Sequence, residues 1–200
     1  MAGELPQDGN AKYQRILRAA LQVFAARGFH EAKIADIARA AGVADGTIYL
    51  YFKNKDDLLI SLFEAQLAHI NTGLAAVLAT ATDPMAQLRA AVDFHLGLAR
   101  DDPPLAQLIT VELRRSSRFM HDYAKGQLRA YLDQLAAIVD AGKSQGLFRT
   151  ELSAAVVTHI LFGALDYVCL TWVNNPNRRE EQLTAAGEAL LDILARALVA

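Results

Sequence analysis

One cysteine, Cys169, is all the thiol chemistry this 200-residue chain has. A single thiol closes no internal disulfide and builds no cysteine metal cage, so a reducing interior is the expected setting and Cys169 reads as a small buried hydrophobe. Charge of one sign is missing too, with a formal net charge of −2. No apolar run reaches the ~18 residues of a bilayer span without polar interruption, and the first ten residues have neither a basic start nor an apolar core. A cytoplasmic chain without a membrane partner is therefore expected. Nowhere do apolar and polar residues alternate with a period of two for long, and no internal repeat is visible, so the fold class expected is all-α. The five histidines, His30, His69, His95, His121 and His159, share no ligand spacing, and no serine or cysteine sits in a nucleophile turn. No catalytic residue, metal or cofactor is expected. Ala141-Gly142-Lys143-Ser144 ends like a phosphate-binding loop, but Ala137 stands where the first glycine belongs and a helix precedes it, so it reads as a helix end.

What the chain does have is hydrophobic mass, 53% of its residues, enough for one small unit and one larger helical body. Its charge is unevenly spread. Between Ala11 and Lys55, eight basic residues (Lys12, Arg15, Arg18, Arg27, Lys33, Arg39, Lys53, Lys55) face three acidic ones, whereas residues 56–200 are net acidic. That asymmetry favours a nucleic-acid surface near the amino end, although solvated helix faces give the same count.

The most informative stretch is Lys33 to Lys55. Ile34, Ile37, Ala38 and Ala41 recur at helical spacing, and Gly42 stops that helix where positive φ is needed. A second helix follows at once, with Asp45 as its expected N-cap. Turning 100° per residue from Gly46 puts Ile48 and Phe52 on one side and Gly46, Tyr49, Leu50 and Lys53 on the other, with Thr47 and Tyr51 on the flanks. The outward set suits a duplex groove with phosphate walls, as the second helix of a helix-turn-helix does. Residues 41–58, AGVADGTIYLYFKNKDDL, resemble the recognition segment of TetR-type transcriptional regulators, whose usual form is AGVS, any residue, GT, an aliphatic, Y, any residue, Y or H, F, a short turn and K. The resemblance runs from about Tyr13 to Leu62 and implies a DNA-reading role for Gly46, Thr47, Tyr49, Leu50 and Tyr51, with Arg39, Lys53 and Lys55 at phosphates. Ala44 and Lys33 depart from the usual Ser and Thr. Lys33 stays in the DNA-facing set, but the family's phosphate contact is not carried over to it.

Around that motif, residues 1–10 are expected to be a disordered arm and residues 11–55 the DNA-binding domain, opened by a helix carrying Ile16, Leu17, Ala20, Leu21 and Phe24 and ending at Arg27-Gly28. Residues 56–200 are expected to form the ligand-binding and dimerisation domain. It begins with a long helix whose stripe, Leu58 to Leu78, acts as a rigid strut from head to body. Asp83-Pro84 starts the next helix, with Leu88, Ala91, Val92, His95 and Ala99 on one face, and His95 reads as a satisfied core residue. Leu105, Leu108, Ile109 and Glu112 share a face, so the Glu112 carboxylate needs a partner such as Arg114, Arg115 or Arg118, or a ligand. Phe119, Tyr123, Gln127, Tyr131, Leu135 and Ile138 mark a long helix closed by Gly142 and Gly146.

The stretch 154–173 is apolar nearly all round and must be enclosed by several neighbours. The last helix carries a stripe of Leu183, Gly187, Leu190, Leu191, Leu194 and Leu198. These last two helices are expected to pair with a second copy in a homodimer, because paired reading heads need two-fold symmetry and half-sites about 34 to 36 Å apart. Phe94, Leu98, Leu105, Leu108, Phe119, Tyr123, Phe162 and Leu165 either fill the core or line a cavity for a small hydrophobic effector.

Four phrases, VELRRSSRFM at 111–120, YLDQL at 131–135, GLFRTEL at 146–152 and LFGALDYV at 161–168, resemble the FadR-type subgroup, repressors of fatty-acid degradation genes released by long-chain acyl-coenzyme A. The resemblance implies an acyl chain among the apolar set and a coenzyme A head near Arg114, Arg115 and Arg118. The expected function is a ligand-responsive repressor bound to double-stranded operator DNA. The alternatives are a regulator of efflux or other catabolic genes with a different hydrophobic effector, or a helical small-molecule enzyme or carrier.

Overall fold

The computed structural model describes residues 7–112 and 126–199, and apart from one isolated bridge these are helices, turns and bends. They divide into two compact units, one ending at Gln66 and one beginning at Leu67.

In the first unit, α1 (Gln7–Glu31) starts earlier than expected, so residues 7–10 are helical rather than part of a disordered arm. It is broken at Gly28, whose φ of 73° no other residue type adopts cheaply. Its stripe goes inward as expected, with Ile16, Leu17, Ala20 and Phe24 buried. Helix α2 (Ile34–Ala41) buries Ile37, Ala38 and Ala41 and ends on Gly42 in the left-handed region, φ 63° and ψ 40°. Helix α3 (Asp45–Ile48) is a single turn. Its N-cap is Ala44, which offers no side-chain acceptor, and Asp45 lies inside the first turn. After Ile48 the chain tightens, with Leu50 N–H donating to Thr47 O and Tyr51 N–H to Ile48 O. Asn54 then opens α4 (Lys55–Thr80): its Oδ1 accepts from Asp57 N–H at 2.8 Å, while Asp57 accepts from Lys53 N–H at 2.8 Å. This reciprocal cap explains why the recognition turn ends where it does.

The second unit takes up α4 from Leu67 and adds α5 (Pro84–Asp101), α6 (Pro103–Gln107), α7 (Gln127–Ser144), α8 (Ala154–Val173) and α9 (Glu180–Leu198). Asp83 caps α5 by accepting from Met85 and Ala86 N–H, and Asp102 caps α6 by accepting from Leu105 N–H, each worth about 1 kcal/mol. Helix α6 continues into a π-turn, Leu108–Glu112. Helix α7 begins at Gln127 rather than near Phe119, because Gly126 (φ −113°, ψ −146°) is not helical. It ends past Gly142, which is no terminator: a Cβ there would fall 2.1 Å from the Phe148 ring, so glycine admits that side chain. Gly146, at φ 71°, makes the turn. Phe148 then bridges to Val199, tying the end of α9 to this corner.

The core gathers Leu74, Leu88, Val92, Leu135, Val139, Leu161, Leu165 and Leu191. The small residue Gly187 of α9 seats Leu96 of α5, whose Cδ1 lies 2.9 Å from where a Cβ would stand. The stripe of α9 is therefore covered within this chain. Helix α8 departs from the expectation that neighbours enclose it. Val156 (56% exposed), Ile160 (61%) and Tyr167 (64%) stand open on one face with Gly163 between them.

Candidate functional site

The head presents a compact convex turn. Ile48 and Phe52 are 1% exposed, whereas Tyr49 is 57% and Leu50 81% exposed, and Gly46 and Lys53 are also open. Large exposed apolar groups on so small a unit need a reason, and a groove partner supplies one. Thr47 and Tyr51 are half-buried on the flanks. The Tyr51 ring lies 6.2 Å from that of Tyr13, which itself stacks on Phe52 at 5.2 Å. Tyr13 thus braces the turn from α1, a role no local pattern announced. Around Gly46 nothing lies within 4 Å of a would-be Cβ. Neither packing nor a positive φ demands glycine here, so the bare backbone faces outward.

The cations divide into free and committed. Lys33 is exposed at the N-cap of α2, where an ammonium accepts nothing from the helix amides. Arg39 keeps 78% of its side chain exposed while pairing at 3.2 Å with Asp36, which also holds Arg27 at 2.6 Å. Lys55, expected at a phosphate, is spent inside the head. Its Nζ donates to Phe29 O (2.8 Å), His30 O (3.1 Å) and Ala32 O (3.0 Å), and it sits 4.6 Å from the Phe29 ring centroid. A cation in the first turn of α4 is unfavourable to that helix, but it satisfies the orphan carbonyls at the end of α1.

In the body, residues of five helices line a half-open apolar pocket, about 680 Å³ of empty space with the adjoining open solvent included. Leu67 and Ile70 come from α4, His95, Leu98 and Ala99 from α5, and Leu105 and Ala106 from α6, with Ile109 and Thr110 on the π-turn. Leu128 and Tyr131 of α7 and Phe162, Asp166 and Cys169 of α8 complete it. Of the expected lining, Leu98, Leu105 and Phe162 are in place. Leu108 and Leu165 are 3% and 1% exposed core residues instead. Phe94 is turned onto α4, its Cζ 2.9 Å from where a Cβ of Gly73 would be. Phe119, Tyr123, Arg114, Arg115, Arg118 and the Glu112 side chain lie outside the described residues.

Sequence reasoning missed the polar members of the wall. His95 Nδ1 and the Tyr131 hydroxyl share a hydrogen bond of 2.8 Å, so His95 is satisfied as expected, yet it lines a cavity rather than filling a core. Burial lowers the His95 imidazole to about 4, raises the Tyr131 phenol well beyond its usual range and pushes the Cys169 thiol up to about 12. All three are neutral at pH 7, on a wall that also carries Asp166. Thr110 donates to Ala106 O at 2.8 Å. A polar residue recurring on otherwise apolar stripes, His95 on α5 and Asp166 on α8, was the available signal.

Residues 16–62 match the family model described as bacterial regulatory proteins, tetR family, and residues 63–197 match that described as YsiA-like protein, C-terminal region. The chain is similar to the fatty acid metabolism regulator protein of Bacillus subtilis, 33% identical over 92% of this chain and 93% of that one. Among solved structures it is similar to the fatty acid degradation regulator FadR from Bacillus halodurans, 36% identical with a TM-score of 0.82. It is also similar to the transcriptional regulator FadR from Bacillus subtilis in complex with stearoyl-CoA, 33% identical with a TM-score of 0.84. Both comparisons cover 92% of this chain and 97% of the other.

Proposed function

On the premise that the chain belongs to the TetR family of bacterial regulatory proteins, and so is a transcriptional regulator rather than an enzyme, we propose that it is a repressor released from operator DNA by a long-chain acyl-coenzyme A, controlling fatty-acid metabolism genes. The observation that carries this reading is the largely apolar pocket of the body, lined by residues of five helices with a few polar groups among them. The solved relative in complex with stearoyl-CoA supports it.

In this reading Gly46, Thr47, Tyr49, Leu50 and Tyr51 meet the groove or its walls, Leu50 against a thymine methyl, Arg39 and Lys53 meet phosphates, and the exposed Lys33 stays in the DNA-facing set. Leu98, Leu105 and Phe162 contact the acyl chain, and Arg114, Arg115 and Arg118 supply cations for the coenzyme A phosphates. The head is the DNA-binding domain and the remainder binds effector and dimerises. A second copy covers the open face of α8, where Val156, Ile160, Gly163 and Tyr167 recur at heptad-like spacing. Helix α8 is apolar enough, at a mean hydropathy of 1.6 over 20 residues, to cross a bilayer by composition alone. Its other face, however, is the core of the body, with Leu161, Leu165 and Cys169 buried.

Release requires the effector to bind a DNA-incompetent conformation better than the competent one, by a coupling of ~1–3 kcal/mol in typical cases. A mobility-shift assay on operator fragments tests the proposal. Stearoyl-coenzyme A is expected to free the DNA and stearate to do so far less, while no response to either discards the effector. Tyr49→Ala is expected to lose duplex affinity and keep effector binding; turnover of the bound ligand would instead support an enzyme.

A further inference from the structure

The cavity holds more polarity than a saturated chain can use. His95 spends Nδ1 on Tyr131. Among the described residues no partner meets its other ring nitrogen, Nε2, and Nε2 is not among the enclosed polar atoms, of which Thr158 Oγ1 alone lacks a partner. The nitrogen is therefore accessible, on a residue that lines the cavity. The ring has little freedom to turn away. Phe162 meets it edge-on at 5.9 Å and 85°, Tyr131 lies 5.8 Å away at 61°, and Phe162 and Tyr131 are themselves 6.1 Å apart at 65°.

We propose that His95, oriented by Tyr131, reads a hydroxyl on the effector, so that the favoured ligand is a hydroxylated acyl chain rather than the saturated chain of equal length. The inference rests on the acyl-effector reading above and sharpens it.

A neutral imidazole bonded to a phenol has two arrangements. When Tyr131 donates to Nδ1, the proton is on Nε2 and the cavity is offered a donor. When Nδ1 donates to Tyr131, Nε2 offers a lone pair. A ligand hydroxyl satisfies either arrangement, because it both donates and accepts. A keto oxygen satisfies only the first, and a methylene satisfies neither. A saturated chain that displaces water from Nε2 leaves a desolvated polar atom without a partner, and sites built around a hydrogen bond reject analogues that lack it. The expected preference is about ten- to hundredfold in affinity.

The experiment measures, by calorimetric titration of the full-length protein, binding of stearoyl-coenzyme A and of hydroxystearoyl-coenzyme A isomers with the hydroxyl near the thioester, at mid-chain or near the tail. At least one isomer is expected to bind about tenfold or more tightly than stearoyl-coenzyme A, and His95→Leu is expected to bring that ratio to about one. If His95→Leu does not fold, the imidazole nitrogen spectrum of the wild type gives the same answer: the favoured isomer shifts the Nε2 resonance and stearoyl-coenzyme A does not. Equal affinities throughout the series, or a preference that survives in His95→Leu, overturn the inference and leave the acyl effector standing. If no chain binds, saturated or hydroxylated, the effector reading and the inference fall together.

Discussion

In the head, residues 34–57 do their work within a few positions of themselves. Gly42 ends α2, Asn54 and Asp57 cap the entry to α4, and Ile48 and Phe52 point inward from the turn whose outer side carries Tyr49 and Leu50. In the body the functional unit is a void whose walls come from α4, α5, α6, α7 and α8, no helix giving more than three of its lining residues. Reading DNA needs a rigid knob that one local motif can encode. Holding a ligand needs an enclosure, and that property belongs to the packing of distant segments.

The sharpest test of this contrast is whether the body is completed only by a second chain. A charge at the centre of the open face of α8, Ile160→Lys, would be buried unpaired on both sides of a two-fold axis, at a cost of about 3 kcal/mol or more. Sedimentation is expected to show a dimer for the wild type and single chains for the variant at micromolar concentration. A dimer that survives the substitution would move the interface elsewhere.

The next largest effect is electrostatic and confined to the body. His95 is held neutral in the fold, with its pKa lowered from 6.5 to about 4 by burial. The unfolded chain therefore binds the extra proton first as pH falls. Stability is full above about 6.5 and declines toward pH 4, by roughly 3 kcal/mol from this group. Urea titrations are expected to show that decline in the wild type and a flatter profile in His95→Gln. Equal slopes would mean that the fold does not hold His95 neutral.

A third comparison isolates the head. Lys55→Met removes three charge-assisted hydrogen bonds, to Phe29 O and His30 O of α1 and to Ala32 O just past its end, and should lower stability of the head by about 2 kcal/mol, read as an earlier loss of hydrogen-exchange protection at the end of α1. If Lys55 instead served DNA alone, affinity would fall with protection unchanged.

The smallest change separates fold from function at a single carbon. Gly46→Ala meets no atom within 4 Å and should leave the head as stable or more so, by up to about 1 kcal/mol, while operator affinity falls about tenfold. Unaltered affinity would show that the backbone at Gly46 is not a contact.

The helix start at Asp83 was legible because an acceptor followed by proline is a local instruction. The same held for the stop at Gly42 and the inward pair Ile48 and Phe52. Lys55 was misread, since sequence showed a cation beside a DNA motif but not that the end of α1 arrives there. Its location in the first turn of α4, where the helix dipole disfavours it, was the clue that its partners lay elsewhere. Periodicity placed Phe94, Leu108 and Leu165 on apolar faces, but it cannot distinguish a face packed against a neighbour from one bordering a gap. The pairing of His95 with Tyr131, 36 positions apart, had no local signature at all.

The ring of Phe94 occupies the space a methyl would take at Gly73, like a ball bearing seated in a notch on a shaft. Rolling α4 about its own axis would drive Thr72 or Leu74 into that ring, and sliding it by a full turn would offer Ala76 in place of the notch. The shaft is thereby indexed against α5. Gly73 is thus the point at which these two helices of the body keep each other in register.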